Sequence, residues 1–165
     1  DTLDLRSVSS PYFAGGRFFA SCGAGGRGSR FAAVIPPKGG KGKPAIAFSF
    51  DKGLPYVPTS IAKGDLLFFI TDGGIASCHD LATGKMKWRE RLGGNYFASP
   101  VLVGKVIYAV SREGMVISLA PMDKFKVLGR CNLGELTYNP PAVANDSLYF
   151  RTYSQLFRLK AKTKR

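Results

Sequence analysis

The residues best suited to chemistry in this chain are three neighbours, Cys78, His79 and Asp80. A thiol, an imidazole and a carboxylate that meet in space can form a nucleophile with its base. The surrounding residues alternate as in a β-strand, however, and consecutive strand residues point to opposite faces of a sheet. The three side chains therefore cannot share one site. Because His79 is the one histidine of the sequence, a metal site with several histidine ligands is excluded as well.

A glycine-rich segment at residues 23–28 is the second candidate, because such turns can cradle phosphate groups. In nucleotide-binding loops a Lys-Ser or Lys-Thr pair and the N-terminus of a helix complete the anion site. Neither follows this segment, so it is interpreted as a mobile hairpin tip.

Glu90 stands between Arg89 and Arg91 on a predicted strand. We expect it to join a cross-strand ion pair and not to act as an acid or base.

The elements that must position these residues repeat along the chain. Four segments can be aligned, with starts at Pro11, Ser60, Pro100 and Pro141. Eight positions after each start stands an aromatic residue: Phe19, Phe68, Tyr108 and Tyr149. Between start and aromatic lies a two-residue turn: Gly15-Gly16, Gly64-Asp65, Gly104-Lys105 and Asn145-Asp146. Most of these residue types tolerate the positive φ that a two-residue hairpin turn needs. Short alternating apolar runs between such turns predict strands joined by hairpins, and no segment of helical period and length is visible.

Each full copy holds four short strands, A to D, within about 40 residues, which is the size of one propeller blade. The sequence therefore predicts an all-β chain: a β-propeller of about four four-stranded antiparallel blades. The expected organisation is a lone D strand at 1–8, blade 1 at 9–57, blade 2 at 58–97, blade 3 at 98–138, an incomplete blade 4 (A, B and C) at 139–160 and a basic tail at 161–165. In blade 2 the strands are expected near 60–62, 66–71, 75–79 and 86–92.

The two ends of the chain leave the closure of the ring open. The last copy stops after strand C, and the N-terminal strand could supply its missing D strand, since an unclosed ring exposes unpaired edges. The chain could form a small four-bladed ring, one half of an eight-bladed ring completed by its own symmetry mate, or part of a longer propeller. The last two are favoured, because a four-bladed ring leaves little room at its axis.

One turn carries a recognisable motif, D-x-x-T-G-x-x-x-W, formed by Asp80, Thr83, Gly84 and Trp88. Together with the Ser99-Pro100 start and the aromatic B strands, it resembles the PQQ-like repeat (quinoprotein alcohol dehydrogenase-like) propellers over almost all of residues 7–160. The full motif appears once; the third copy has Ala120-Pro121-Met122-Asp123 in its place. The resemblance implies that Trp88 docks between adjacent blades and that the motif is structural. A buried tryptophan also usually needs a partner for its N–H.

Members of this family that use a cofactor hold the quinone on the ring axis with a calcium ion and, often, an adjacent pair of cysteines. Here Cys22, Cys78 and Cys131 lie far apart, and no cluster of acidic residues and asparagines marks a calcium site. We therefore expect no PQQ, no calcium and no catalytic residues; a single disulfide stays open. The chain is more similar to non-enzymatic, extracytoplasmic members of the periplasm or cell surface, which bind other proteins. The expected function is a protein-binding scaffold; a fragment of a PQQ-dependent dehydrogenase is the alternative.

The net charge of +13 allows an acidic partner surface or an anionic membrane face. A polyanion or nucleic-acid binder is a further alternative. It is disfavoured because the aromatic residues occupy alternate strand positions and so belong to the core. No apolar run is long enough to span a membrane.

The D-to-A connections between blades are the predicted place for a partner, because each carries a tyrosine. These rings could wedge between blades, or they could form a partner-binding face, since tyrosine is common at binding surfaces. The predicted face comprises Tyr56, Arg89, Arg91, Asn95, Tyr96, Tyr138 and Asn139.

Overall fold

The structure, a computed structural model, describes Leu3 and residues 5–23 and 29–160. Within these residues the regular elements are fifteen β-strands and one short 3-10 turn, Lys38–Gly40. That turn lies in the lysine-rich loop that follows β3 in the first sheet and is exposed there. No helix in this part of the chain has the length and apolar character that a membrane crossing requires.

The strands form four antiparallel sheets, and each sheet, which we call a blade, consists of strands that are consecutive in sequence. Blade 1 contains β1 (Tyr12–Ala14), β2 (Arg17–Gly23), β3 (Ser29–Ile35) and β4 (Ala45–Phe50). Blade 2 contains β5 (Ile61–Lys63), β6 (Leu66–Ile70), β7 (Ile75–Asp80) and β8 (Met86–Arg91). Blade 3 contains β9 (Val101–Val103), β10 (Val106–Val110), β11 (Met115–Leu119) and β12 (Val127–Asn132). Blade 4 contains β13 (Ala142–Ala144), β14 (Ser147–Arg151) and β15 (Leu156–Lys160).

The prediction of an all-β chain built from antiparallel blades is confirmed. The strands of blade 2 lie within one residue of their expected limits. Hairpin turns set this register: in blade 4, Asn145 and Asp146 take φ values of 47° and 54°. These values belong to the left-handed region that a two-residue hairpin needs and that asparagine and aspartate tolerate.

The hydrophobic core lies between the blades and is divided into three clusters. Because side chains alternate along the second strand of a blade, they pack alternately towards the two neighbouring blades. In β6, Leu67 and Phe69 pack towards blade 1, whereas Phe68 and Ile70 pack towards blade 3. In the same way Ile107 of β10 faces blade 2 and Val110 faces blade 4.

The motif turn between β7 and β8 ties blade 2 to both neighbours. One Asp80 carboxylate oxygen accepts hydrogen bonds from the Thr83 backbone N–H at 2.9 Å and the Thr83 hydroxyl at 2.8 Å. Gly84 has a φ of 75°, and a Cβ there would lie 2.7 Å from the ring of Phe48 in blade 1. Trp88 donates its indole N–H to the Met122 carbonyl at 3.0 Å, in blade 3. The turn therefore fixes the spacing of three successive blades.

The residues before the first strands of blades 1, 2 and 3 form a chain of hydrogen bonds at the inner side of the sheets. The Ser10 backbone N–H donates to the Thr59 hydroxyl at 3.0 Å. The Thr59 backbone N–H in turn donates to the Ser99 hydroxyl, also at 3.0 Å. These three residues occupy the same position of the repeat, so the bonds link equivalent points of blades 1, 2 and 3.

The first blade exposes an aromatic pair on the side that has no neighbouring blade among the described residues, which we call the front face. Phe13 and Phe18 are 57% and 49% exposed, and their ring centroids lie 4.8 Å apart. Phe18 occupies the repeat position of Leu67 and Ile107, which are 0% and 1% exposed. The front face therefore has the composition of an interblade surface.

The last blade and the N-terminal segment do not pair with each other within the described residues. There β15 pairs with β14 alone. The expected D strand at 1–8 falls partly on residues 1, 2 and 4, which lie outside the described part. Residues 5–8 contain no strand: Arg6 forms an isolated bridge with Gly23 of β2. This segment corresponds in register to the later connections between blades and lies along blade 1.

Candidate functional site

The D-to-A connections and the turns between second and third strands lie at the same end of the molecule, because neighbouring strands run antiparallel. The connections span residues 51–60, 92–100 and 133–141, and the turns span 71–74, 111–114 and 152–155. We call this end the connection face. The predicted partner-binding residues all belong to it or to the strand ends that lead into it.

Backbone hydrogen bonds hold the connections 92–100 and 133–141 to the turn of the following blade in the same manner. The Arg112 N–H donates to the Asn95 carbonyl at 2.6 Å, and the Tyr153 N–H donates to the Leu136 carbonyl at 3.0 Å. The N-terminal segment has the equivalent bond, from Gly23 N–H to the Arg6 carbonyl at 2.9 Å. The connection face is therefore a set of loops with a fixed backbone.

Three carboxylates, which we call the bridging carboxylates, reinforce these contacts. Asp72 accepts hydrogen bonds from the backbone N–H groups of Tyr56 at 2.7 Å and Val57 at 3.2 Å. Glu113 accepts from the backbone N–H and the side-chain amide of Asn95, at 3.2 and 3.0 Å. Each of these residues joins a turn to the connection on one side of its blade. Charge-assisted hydrogen bonds of this kind are stronger than neutral ones.

The third bridging carboxylate, Glu135, lies in the connection before blade 4. It accepts from the backbone N–H and hydroxyl of Ser154 at 3.0 and 2.6 Å and from the Thr152 hydroxyl at 2.7 Å. These bonds to Ser154 lower the pKa of Glu135 to about 2. The amide of Asn95 likewise lowers the pKa of Glu113 to about 2. Both groups are therefore ionised at neutral pH.

Tyr96 is not part of a binding surface. Its side chain is 0% exposed and packs in the cluster between blades 2 and 3. Burial raises the pKa of Tyr96 to about 12. Its hydroxyl has no hydrogen-bond partner among the described residues. The prediction that Tyr96 faces a partner is wrong, because the ring wedges between two blades.

Tyr138 is exposed, in contrast to Tyr96. It is 50% exposed and contacts Phe97 in a tilted arrangement, with 5.7 Å between the ring centroids. The guanidinium of Arg112 lies 5.3 Å from the Tyr138 ring centroid, within the range of a cation–π contact. The three side chains form a small aromatic and cationic group that bridges blades 3 and 4.

The remaining predicted residues are distributed over the face. Tyr56 is partly buried, and its hydroxyl accepts from Arg6 Nε at 2.8 Å. Arg89 and Arg91 are exposed on β8, at its end near the connection face. Asn95 is held by Glu113, and Asn139 is exposed beside Tyr138. Glu90 forms no ion pair within the described residues, so the cross-strand pair expected for it is wrong.

Sequence reasoning missed a cleft on the same face, at the seam between blades 3 and 4. The cleft has a volume of about 400 Å³. It is lined by Leu136, Thr137, Tyr138, Asn139, Arg151, Thr152 and Tyr153. Tyr153 is 92% exposed and stands at the same repeat position as Arg112. If the repeat register had been extended from the strands to the turns, the sequence would have indicated Arg112 and Tyr153 as equivalent turn residues.

Cys78 and His79 lie on opposite faces of the sheet, as their alternation predicts, so the three residues with potential chemistry do not meet in one site. Cys78 packs towards blade 3, and burial raises the pKa of its thiol to about 12. His79 faces blade 1 and lies between Phe50 and Phe69, each 5.1 Å from its ring centroid. Cys22, Cys78 and Cys131 are free thiols. The residues of segment 24–28, the other candidate, lie outside the described part.

His79 is a neutral core residue. Its Nδ1–H donates to the Gly84 carbonyl at 3.0 Å, and its Nε2 lies 3.0 Å from the Ser77 hydroxyl. Because a carbonyl can only accept, the proton of the neutral ring lies on Nδ1. Burial lowers the pKa of His79, and the Gly84 hydrogen bond opposes this shift. The imidazole therefore stabilises the motif turn in its uncharged form.

Successive antiparallel blades with their core between them define the chain as a β-propeller segment. A family model described as "Outer membrane protein assembly factor BamB" matches residues 45–126, the region that contains the motif turn. The predicted resemblance to the PQQ-like repeat β-propeller family is confirmed. No curated protein matches it in sequence.

Two solved structures have similar folds. BamB from Moraxella catarrhalis superposes with a TM-score of 0.68 and 17% identity, over 96% of this chain and 45% of that chain. A europium-containing methanol dehydrogenase superposes with a TM-score of 0.59 and 14% identity, over 76% of this chain and 26% of that chain. The chain thus spans less than half the length of either protein.

Two substitutions of Tyr96 distinguish the contribution of its ring packing to stability from that of its hydroxyl. Tyr96→Ala should lower the free energy of unfolding by roughly 3–5 kcal/mol, because it removes a buried aromatic ring. Tyr96→Phe should leave the stability unchanged or raise it by about 1 kcal/mol, since the buried hydroxyl lacks a partner. Tyr138→Ala is the matched exposed control and should cost less than about 0.5 kcal/mol. Urea denaturation measures all three; a large loss for Tyr96→Phe would contradict the assignment.

The lowered pKa of His79 predicts a specific pH dependence of stability. In the unfolded chain His79 takes up a proton at the ordinary histidine pKa of 6.5, whereas in the folded chain its pKa is lower. The free energy of unfolding should therefore be pH-independent above this value and fall as the pH decreases below it. Glu113 and Glu135 affect the pH dependence of stability only at lower pH, because the ordinary pKa of a glutamate is 4.5.

Denaturation curves between pH 7.5 and 5 test this dependence. His79→Gln should abolish the decline in this range, although the variant itself is less stable. A decline of equal slope in His79→Gln would assign the effect to another group.

Proposed function

We propose that the chain is a non-catalytic β-propeller segment that acts as a scaffold and binds a protein partner through its connection face. The observation that carries this proposal is the exposed group formed by Phe97, Arg112 and Tyr138. Exposed aromatic rings held on loops with a fixed backbone are typical of binding surfaces. Tyr56, Arg89, Arg91 and Asn139 are proposed to contribute to the edges of this surface.

The family resemblance supports the same conclusion at a coarse level. The similar structure from Moraxella catarrhalis and the matching family model are both named for BamB, an outer membrane protein assembly factor. A location outside the cytoplasm, in the periplasm or at the cell surface, follows from this likeness as part of the proposal. The charge of +13 favours a partner with acidic groups.

A quinone-dependent dehydrogenase is the competing function, because one similar structure is a methanol dehydrogenase. The described residues do not fit a metal-bound quinone of that kind. No group of three or more His, Cys, Asp and Glu residues among them could hold a metal ion. The carboxylates of Asp72, Glu113 and Glu135 already accept hydrogen bonds from the chain itself. We therefore propose that the segment works without PQQ or calcium.

Site-specific photo-crosslinking in the organism that produces the protein tests the scaffold function. A benzoylphenylalanine residue in place of Tyr138 should give a discrete, heavier adduct, because this position faces the partner. The same residue in place of Lys105, an exposed residue in a turn at the opposite end of blade 3, serves as the control and should give none. Absence of an adduct at position 138, or equal adducts at both positions, would contradict the proposal.

We further propose that the front face of blade 1 is covered by a blade of a second copy. Phe18 is half-exposed although its repeat equivalents Leu67 and Ile107 are fully buried. The chain covers 45% of the similar BamB chain, so two copies have about the length of one such propeller.

Light scattering measures this association directly. The chain should have twice its mass of 17.8 kDa at high micromolar concentration. Phe18→Asp should restore the monomer mass because it places a charge in the apolar interface. Leu128→Asp, at a 46% exposed position on β12, is the control and should remain associated. A monomer mass for the unmodified chain would overturn the second-copy proposal while leaving the scaffold function intact.

A further inference from the structure

We propose that the cleft between blades 3 and 4 binds an extended peptide in which an aromatic or aliphatic side chain stands next to a carboxylate. This inference rests on the proposed scaffold function and specifies the chemistry of its partner. The cleft is the part of the connection face where a cavity, exposed apolar groups and arginines occur together.

The floor of the cleft is rigid and its polar groups are satisfied. Thr137 and Thr152 are 4% and 3% exposed. The Thr137 hydroxyl donates to the Arg151 carbonyl at 2.6 Å, and the Thr152 hydroxyl donates to Glu135 at 2.7 Å. A partner therefore does not have to order this part of the cleft when it binds, which limits the entropic cost of association.

The rim of the cleft is apolar and open. Leu136, Tyr138 and Tyr153 are 50%, 50% and 92% exposed. Rings and aliphatic groups exposed this far around a cavity of about 400 Å³ leave room for a side chain of the partner. Since tyrosine is amphipathic and rigid, it can contact both the side chain and the backbone of a bound peptide.

Two arginines at the cleft supply the charge complementarity. Arg151 lines the cleft, and Arg112 lies against the Tyr138 ring. Neither forms an ion pair within the described residues, whereas Glu113 and Glu135 accept hydrogen bonds from Asn95 and Ser154. A carboxylate on the partner would pair with these cations.

A peptide fits this charge pattern better than a nucleic acid does. Glu113 follows Arg112 in the sequence, and Glu135 accepts a hydrogen bond from Thr152, which lines the cleft together with Arg151. Both glutamates are ionised. A phosphate backbone carries one charge per nucleotide and would meet the repulsion of these glutamates along its length. A single carboxylate carries one charge and needs only one arginine as its partner. We therefore assign the cleft to an acidic peptide.

Selection of random twelve-residue peptides displayed on phage, with the whole chain as the target, tests the assignment. Enriched peptides should carry Asp or Glu next to Phe, Trp, Tyr or Leu. Synthetic copies should lose about tenfold in affinity for Tyr153→Ser and for Arg112→Gln in fluorescence polarisation, as expected of central contacts. Because Tyr153 is almost fully exposed, its replacement should not change the thermal midpoint.

Matched controls use the same chemical changes elsewhere on the chain. Leu128→Ser removes an exposed apolar group, and Lys105→Gln removes an exposed charge; both should bind the peptides normally. The assignment is overturned if no peptide class is enriched or if enriched peptides lack an acidic residue. Binding that does not depend on Tyr153 and Arg112 also overturns it.

A single-stranded oligonucleotide of twelve thymidines tests whether the cleft binds nucleic acid in place of a peptide. If it binds with the same dependence on Tyr153 and displaces the peptides, the cleft is a nucleic-acid site and the peptide assignment fails. If the peptides fail but the adduct at position 138 forms, the scaffold function stands and only the cleft assignment is lost.

Discussion

The structure depends on the packing of each second strand between two neighbouring blades. Leu67 and Phe69 are buried against blade 1, while Phe68 and Ile70 are buried against blade 3. A single five-residue strand thus supplies apolar side chains to two interfaces, and no blade has a core of its own. Because burial of apolar area is the main driving force of folding, the blades stabilise one another and not themselves. This explains why an uncovered front face leaves Phe13 and Phe18 exposed.

The connection face is fixed by a different kind of interaction. Asp72, Glu113 and Glu135 each join a turn to a connection through several hydrogen bonds. These residues do not share one repeat position. Turns and connections are therefore joined by carboxylates from different places in the repeat. Their oxygens accept hydrogen bonds from the chain, whereas exposed arginines such as Arg112 and Arg151 are available to a partner. Stability and recognition therefore use separate side chains within the same loops.

The sequence predicted the strands well because turn residues and alternating apolar runs are local signals. It predicted the connection face less well, since a shift of one residue decides whether a ring is buried. Tyr96 lies four residues before its repeat start, as does Thr137, and both are buried at 0% and 4% exposure. Phe97 and Tyr138 lie three residues before their starts and are exposed. Grouping Tyr138 with Tyr96 overlooked this offset. The bridging carboxylates and the cleft depend on contacts between distant segments, which no local pattern contains.

The inner chain of hydrogen bonds has one further consequence. It runs from Ser10 to Thr59 to Ser99, and the equivalent residue of blade 4 is Pro140, which has no hydroxyl to accept the next bond. Blade 4 therefore lacks this link, and within the described residues its sheet has three strands where the other sheets have four. Local opening of a protein begins where the fewest contacts must break. Amide protons of β13 to β15 should accordingly exchange with solvent before those of blades 2 and 3, so the last seam is where subglobal unfolding starts.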